Sequence, residues 1–212
     1  MIEIQNVSKK FGNALSLDNL SLTFKKDDCV ALMGPNGAGK TTLIRLILGY
    51  YHPSSGTVLV NGLNPIKERI DVLQNISFVP QLPPPIKLNL DELISYACKS
   101  TKIEREAILH FAKEMELDIE PNLNKSFFKL SGGMKQKMLI AISLARQSEI
   151  IIYDEPTANL DPKARDNFHR LLKNEARAKT ALFVTHRIDE MKELVNRQIY
   201  MDLGKVLTDE II

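Results

Sequence analysis

The chain has 212 residues, 44% hydrophobic and 25% charged, and a net charge of +2 from 28 basic and 26 acidic side chains. That is the make-up of one globular domain with room for a real core; the even spread of charge argues against a nucleic-acid binder, which would carry a basic stripe. The longest apolar runs, such as Met138–Ala145, fall far short of the ~18 residues of a membrane span, and the N-terminus shows no signal-like apolar stretch.

Taken in chain order, residues 2–7 and 17–24 read as strands. In the second, Leu20, Leu22 and Phe24 alternate with Ser21 and Thr23. Cys29 opens a continuous apolar run ending at Gly34, as expected of a strand buried on both faces. A helix over 41–49 closes at Gly49, and the strand at 57–62 ends in an Asn-Gly turn signal. A short strand at 76–79 leads into a proline-rich stretch, 80–89, that can be neither helix nor central strand. Helices are predicted at about 90–99 and 103–116, the second opened by Thr101 and Glu104 spaced as a capping box.

A further helix runs from Ser131 to about Arg146. The α/β rhythm then resumes with a strand at 150–154 and a helix with Asp161 as N-cap and Pro162 as first residue. A strand at 180–185, a helix over 188–195 and a hairpin around Gly204 complete the chain. Cys29 and Cys98, with no metal-like spacing, read as two reduced core thiols of a cytosolic protein. The predicted fold is α/β: a nucleotide-binding core at about 1–83 and 149–212, with a mostly helical insert at about 84–148.

Gly34–Thr42, GPNGAGKTT, fits G-x-x-x-x-G-K-[ST] between a strand and a helix. Gly34, Gly37 and Gly39 let the backbone turn its N–H groups toward phosphates, and the helix start adds partial positive charge. Lys40 is suited to the β- and γ-phosphates and Thr41 to Mg2+, which implies ATP as the ligand. At 150–156 an apolar strand ends abruptly in Asp154 and Glu155, the first suited to Mg2+ and the second to orienting or deprotonating a water. His186 follows another strand end; a lone histidine is more often structural, but this position suits an imidazole bonded to a γ-phosphate and the attacking water. Gln81 has an amide oxygen able to ligate Mg2+.

In this order, the loop at 34–42, Gln81, Leu130-Ser131-Gly132-Gly133, the strand into Asp154–Glu155, Asn159-Leu160-Asp161 and His186 resemble the motifs of the ATP-binding subunit of ABC transporters. The resemblance spans essentially the whole chain. It implies a P-loop NTPase core of ABC ATPase type, with an N-terminal antiparallel β subdomain and a helical signature subdomain. It also implies nucleotide contacts from Phe11 stacked on adenine, from Asn36, Gly37, Ala38, Gly39, Lys40, Thr41 and Thr42, and from Gln81.

In that family the partner's signature grips the same ATP, so Ser131, Gly132 and Gly133 are expected to face the P-loop of a second copy, with Asp161 at the same interface. Glu155, His186 and Lys40 would carry catalysis, and Thr41, Gln81 and Asp154 the Mg2+. The signature departs from the usual form at Met134 and Lys137, which implies a working though slower enzyme.

Stretches around Phe11 and around the P-loop resemble the branch serving ABC-2 type permeases. The expectation is therefore an export or maturation motor beneath a separate membrane permease, on the cytoplasmic face of the inner membrane. A soluble ABC ATPase without a channel, of iron–sulfur assembly type, is the alternative. A small-molecule kinase or GTPase would leave the signature unexplained, and no Asn-Lys-x-Asp guanine reader is present.

Overall fold

The structure, a computed structural model, describes residues 1–175, 179–186 and 188–212. β1 (Ile2–Phe11) and β2 (Ala14–Phe24) pair antiparallel, and β4 (Ser55–Val60) joins the other side of β1, giving a three-stranded sheet in the order β2-β1-β4. One face is apolar because Ile2, Ile4, Leu20, Leu22, Phe24, Val58 and Val60 all point inward at period two. Asn61 and Gly62, both at positive φ, turn the chain tightly after β4, as the sequence signal predicts.

A second, six-stranded sheet has the order β5-β6-β7-β3-β8-β9. Its strands are β3 (Cys29–Met33), β5 (Ile76–Val79), β6 (Ile150–Asp154), β7 (Thr180–Val184), β8 (Arg197–Asp202) and β9 (Lys205–Ile211). β3 lies parallel to both β7 and β8, and β9 returns antiparallel on β8. The helices are α1 (Lys40–Ile47), α2 (Arg69–Gln74), α3 (Leu90–Thr101), α4 (Arg105–Glu114), α5 (Gly132–Ala145), α6 (Pro162–Glu175) and α7 (Ile188–Met191).

Two compact units divide the chain: Met1–Ile76 with Glu149–Ile152 and Ala176–Ile212, and Ser77–Ser148 with Tyr153–Glu175. The boundary therefore cuts β5 after Ile76 and β6 after Ile152. The second unit starts before residue 84 and takes in α6 as well as the helices that precede β6.

Several local expectations are corrected. α2 was not anticipated; it is short and presents one buried residue, Val72. Thr101 does not open α4 but ends α3, its hydroxyl donating to the Ala97 carbonyl (2.7 Å), while Glu104 precedes α4 without a side-chain cap bond. The capping box lies earlier: Asn89 Oδ1 accepts from the Glu92 amide and Glu92 Oε2 from the Asn89 amide, both at 2.8 Å. α7 ends at Met191 rather than near residue 195, with Leu194 and Val195 amides folding back on the Met191 carbonyl. Cys29 is a core thiol, its pKa pushed up to about 12 by burial, but Cys98 is only half-buried.

Candidate nucleotide site

In the first unit, β3 delivers the chain into the glycine-rich loop. Gly34 is obligatory there: a Cβ would sit 2.0 Å from the Met201 carbonyl oxygen, so only a hydrogen fits between the loop and the end of β8. α1 begins with no side-chain cap, which leaves its first N–H groups as an anion-ready start. Lys40 is 7% exposed, and its Nζ donates to the carbonyls of Gly34 (2.6 Å) and Pro35 (2.9 Å). The cation is therefore held inside the curl of the loop, by weak acceptors that a phosphate can outbid.

Asn36, Gly37 and Thr41 are exposed, and Gly37 faces open space. Two positions are engaged within the protein. The Ala38 amide donates to the Pro35 carbonyl (3.2 Å), and the Thr42 hydroxyl bonds that of Ser16 (2.8 Å), which fixes its rotamer and leaves part of its hydrogen-bonding capacity open. The Leu32–Val184 pairing sets the ends of β3 and β7 side by side, so exposed His186 emerges at the same sheet edge as the loop. Phe11 is 43% exposed rather than packed in the core; its ring meets Tyr51 edge-on at 5.1 Å, with the Lys9 ammonium 4.8 Å from its centroid.

The second unit holds the remaining residues. Asp154, 8% exposed, closes the wholly apolar part of β6, and Glu155 follows at φ 48°, in the left-handed region that bulky residues seldom enter. The turn is locked by the Ala158 amide on the Glu155 carbonyl (3.2 Å) and the Leu160 amide on the Thr157 carbonyl (3.1 Å). Ser131 is the N-cap of α5: its hydroxyl oxygen accepts from the Met134 amide (3.2 Å), and Gly132 beside it is exposed with nothing where a Cβ would be.

Asp161 caps α6 by accepting from the Ala164 amide (2.9 Å) and pairs with Lys137 (3.1 Å). The Ala164 amide first, and Lys137 second, hold its carboxyl below the usual carboxylate range. Gln81 is exposed, and its carbonyl accepts from Asn159 (3.4 Å).

One residue here, Gln136, was not singled out from the sequence, and Lys137 was noted there only as a departure of the signature, without its partner. Fully buried Gln136 donates from Nε2 to the Pro156 carbonyl (3.3 Å), tying α5 to the turn after Glu155, and Lys137 is the partner of Asp161. Both lie one turn beyond the signature, and a helical reading at i+3 and i+4 from Gly133 would have marked them.

Among the described residues no group of three or more His, Cys, Asp or Glu side chains could cage a metal ion. The uncapped helix start and the lysine turned into the loop fit a triphosphate.

Residues 17–158 match the ABC transporter family model. The chain is 34% identical to the Nod factor export ATP-binding protein I of Burkholderia orbicola, across 98% of this chain and 70% of that protein. It is 39% identical to the zinc import ATP-binding protein ZnuC of Rickettsia conorii across 81% and 69%. Among solved structures it resembles a dimeric ATP-binding cassette in a post-hydrolysis state bound to ADP and Pi, with a TM-score of 0.85 and 29% identity over 100% of this chain and 98% of that one. An ATP-binding subunit of an ABC transporter, 23% identical over 100% of this chain and 90% of that one, shares the fold at a TM-score of 0.90. The chain belongs to the ABC transporter family, as an ATP-binding subunit and an ATPase that works on ATP with Mg2+.

Proposed function

We propose that this chain is the motor of an exporter: two copies close on two ATP molecules, reopen on hydrolysis, and so drive a separate transmembrane permease from the cytoplasmic face of the membrane. The observation that carries the reading is the start of α5. It is an exposed, glycine-flanked helix N-terminus whose serine cap keeps an O–H to donate, and the lysine one turn on is committed to Asp161. Such a start can complete the shell of a phosphate whose countercharge comes from another chain's P-loop.

In this reading Lys40 and the N–H groups from Gly37 to Thr42 take the β- and γ-phosphates, and Phe11 takes the base. Thr41, Gln81 and Asp154 hold Mg2+, which neutralises charge on the phosphates. Glu155 orients the attacking water and accepts its proton, and His186 bonds the γ-phosphate. Ser131, Gly132 and Gly133 reach the γ-phosphate on the partner copy, and Asp161 lies at the same seam. Because the γ-phosphate alone distinguishes closed from open, its loss reverses the equilibrium.

The export direction is supported by the Nod factor export relative, which aligns with 98% of the chain. Among the described residues no helix is long and apolar enough to cross a membrane. The test is Glu155→Gln with Mg-ATP, followed by light scattering: the expected result is tight nucleotide binding, turnover lower by roughly 10²–10⁴-fold, and a stable dimer. A variant that binds ATP and stays monomeric overturns the shared site, and a chain that purifies from detergent extracts without a polytopic partner overturns the permease assignment.

A further inference from the structure

We propose that the turn of the C-terminal hairpin is a clasp that sets the shape of the phosphate cradle, with Gly204 as a positioning residue for ATP. A cradle whose N–H groups face the phosphates must have its other backbone groups held from behind, or the curl relaxes. Here the Gly204 amide donates to the Ala38 carbonyl (3.1 Å), and the Gly204 carbonyl accepts from the Asp18 amide (3.0 Å). One residue of the hairpin therefore joins the loop to β2 through its two flanking peptide groups.

The packing is backbone against backbone. A Cβ on Gly204 would lie 2.7 Å from the Ser16 carbonyl oxygen and 2.9 Å from Leu17 Cα. A Cβ on Gly39 would lie 2.7 Å from that same Ser16 oxygen and 3.6 Å from Gly204 Cα. With the Met201 carbonyl already against Gly34, the segment 201–204 touches the loop at both ends of its curl. The rim is closed by Lys205 on Asp18 (3.0 Å) and by the Ser16–Thr42 hydroxyl pair.

The two-residue turn has positive φ at both positions, the form hairpins favour, but it places a leucine where that angle is costly. Leu203 has φ 46° while 82% exposed, and its amide is fixed by the Asp202 carboxylate (2.9 Å). A leucine at such an angle, with no packing of its own, persists where the surrounding contacts dictate the turn. Gly204 follows at φ 77°, so any side chain there meets both strain and the Ser16 carbonyl.

The inference rests on the reading that Gly34–Thr42 grips phosphate, and the experiment separates the two. Gly204→Ala is compared with Lys40→Ala and with Leu207→Ser, an exposed change on the same hairpin. Expected for Gly204→Ala is a Kd and KM for Mg-ATP raised about 10–100-fold, the worth of about one loop hydrogen bond to a charged phosphate, with kcat at saturating ATP largely kept. A purely structural role would instead lower the folded fraction and leave the Kd of the folded molecules unchanged. Leu207→Ser is expected to match the wild type.

If Lys40→Ala weakens binding and Gly204→Ala does not, the clasp is overturned and the P-loop reading stands. If Lys40→Ala binds normally, that reading falls, and the clasp with it. Should Gly204→Ala fail to fold, amide exchange on the wild-type chain decides. With Mg-ADP added, the Gly204 amide is expected to slow together with those of Gly37–Thr41; an unchanged Gly204 amide beside protected loop amides overturns the clasp.

Discussion

The starts of α1 and α5 are both glycine-rich helix N-termini, and they are built differently. α1 has no side-chain cap and carries its own buried cation, Lys40, folded onto the Gly34 and Pro35 carbonyls. α5 is capped by Ser131, and the two lysines near its start look elsewhere: Lys135 lies 5.2 Å from the Phe128 ring centroid and Lys137 pairs with Asp161. The first start is equipped to hold a polyanion alone. The second offers dipole and hydroxyl but withholds charge, so on the proposed reading it is expected to bind free phosphate weakly and to add grip to a phosphate already neutralised. A helix end that binds weakly by itself suits a contact that must be released every cycle.

The sharpest way to break this comparison is to exchange the losses. Lys40→Ala is expected to weaken ATP binding by about 10–100-fold, the worth of a charge-assisted hydrogen bond, read by titration calorimetry. Ser131→Ala is expected to leave binding by the isolated chain intact and to lose ATPase activity. Mixed in equal amounts, the two variants should recover activity, because each mixed dimer contains one site with both grips whole; no recovery would mean that the two starts do not share a nucleotide.

A smaller effect separates cap from grip. Ser131→Ala should lower stability by about 1 kcal/mol as the cost of losing the α5 N-cap, and Ser131→Asn should restore that stability without restoring turnover.

The smallest effect concerns Asp161. Its folded pKa is depressed, so it contributes stability above the ordinary carboxylate range, and that contribution is lost as pH falls through the folded value. Asp161→Asn should flatten the acid limb of the unfolding profile. Lys137→Ala should flatten it less, because the Ala164 amide is the larger cause, and Lys137→Arg should leave it nearly unchanged.

Much of this was legible in the chain. The loop at 34–42 and the Asp154–Glu155 strand end were plain because each is a junction where an apolar run stops at a residue type with one main use. The Asp161 cap of α6 followed from the Asp-Pro pair. What escaped was decided by packing across long sequence separations. The Thr42 hydroxyl meets that of Ser16, 26 residues earlier, a pairing that the loop motif does not announce. Gly204 reads as an ordinary hairpin glycine until the Ala38 carbonyl is found against it. Thr101 and Glu104 have capping-box spacing, yet α3 runs on to consume the threonine. No local pattern encodes these choices.

The left-handed backbone at Glu155 has a consequence for how such a chain can change over time. Holding a glutamate at φ 48° costs on the order of 1–3 kcal/mol, and a glycine there would recover part of it while, on the role proposed for Glu155, ending the chemistry. Heat tolerance and fuel consumption thus compete for a single codon. A copy freed from the duty of burning ATP, for instance one kept only as a docking subunit, would be expected to drift toward glycine or asparagine at that site first and gain a higher melting temperature as it did so.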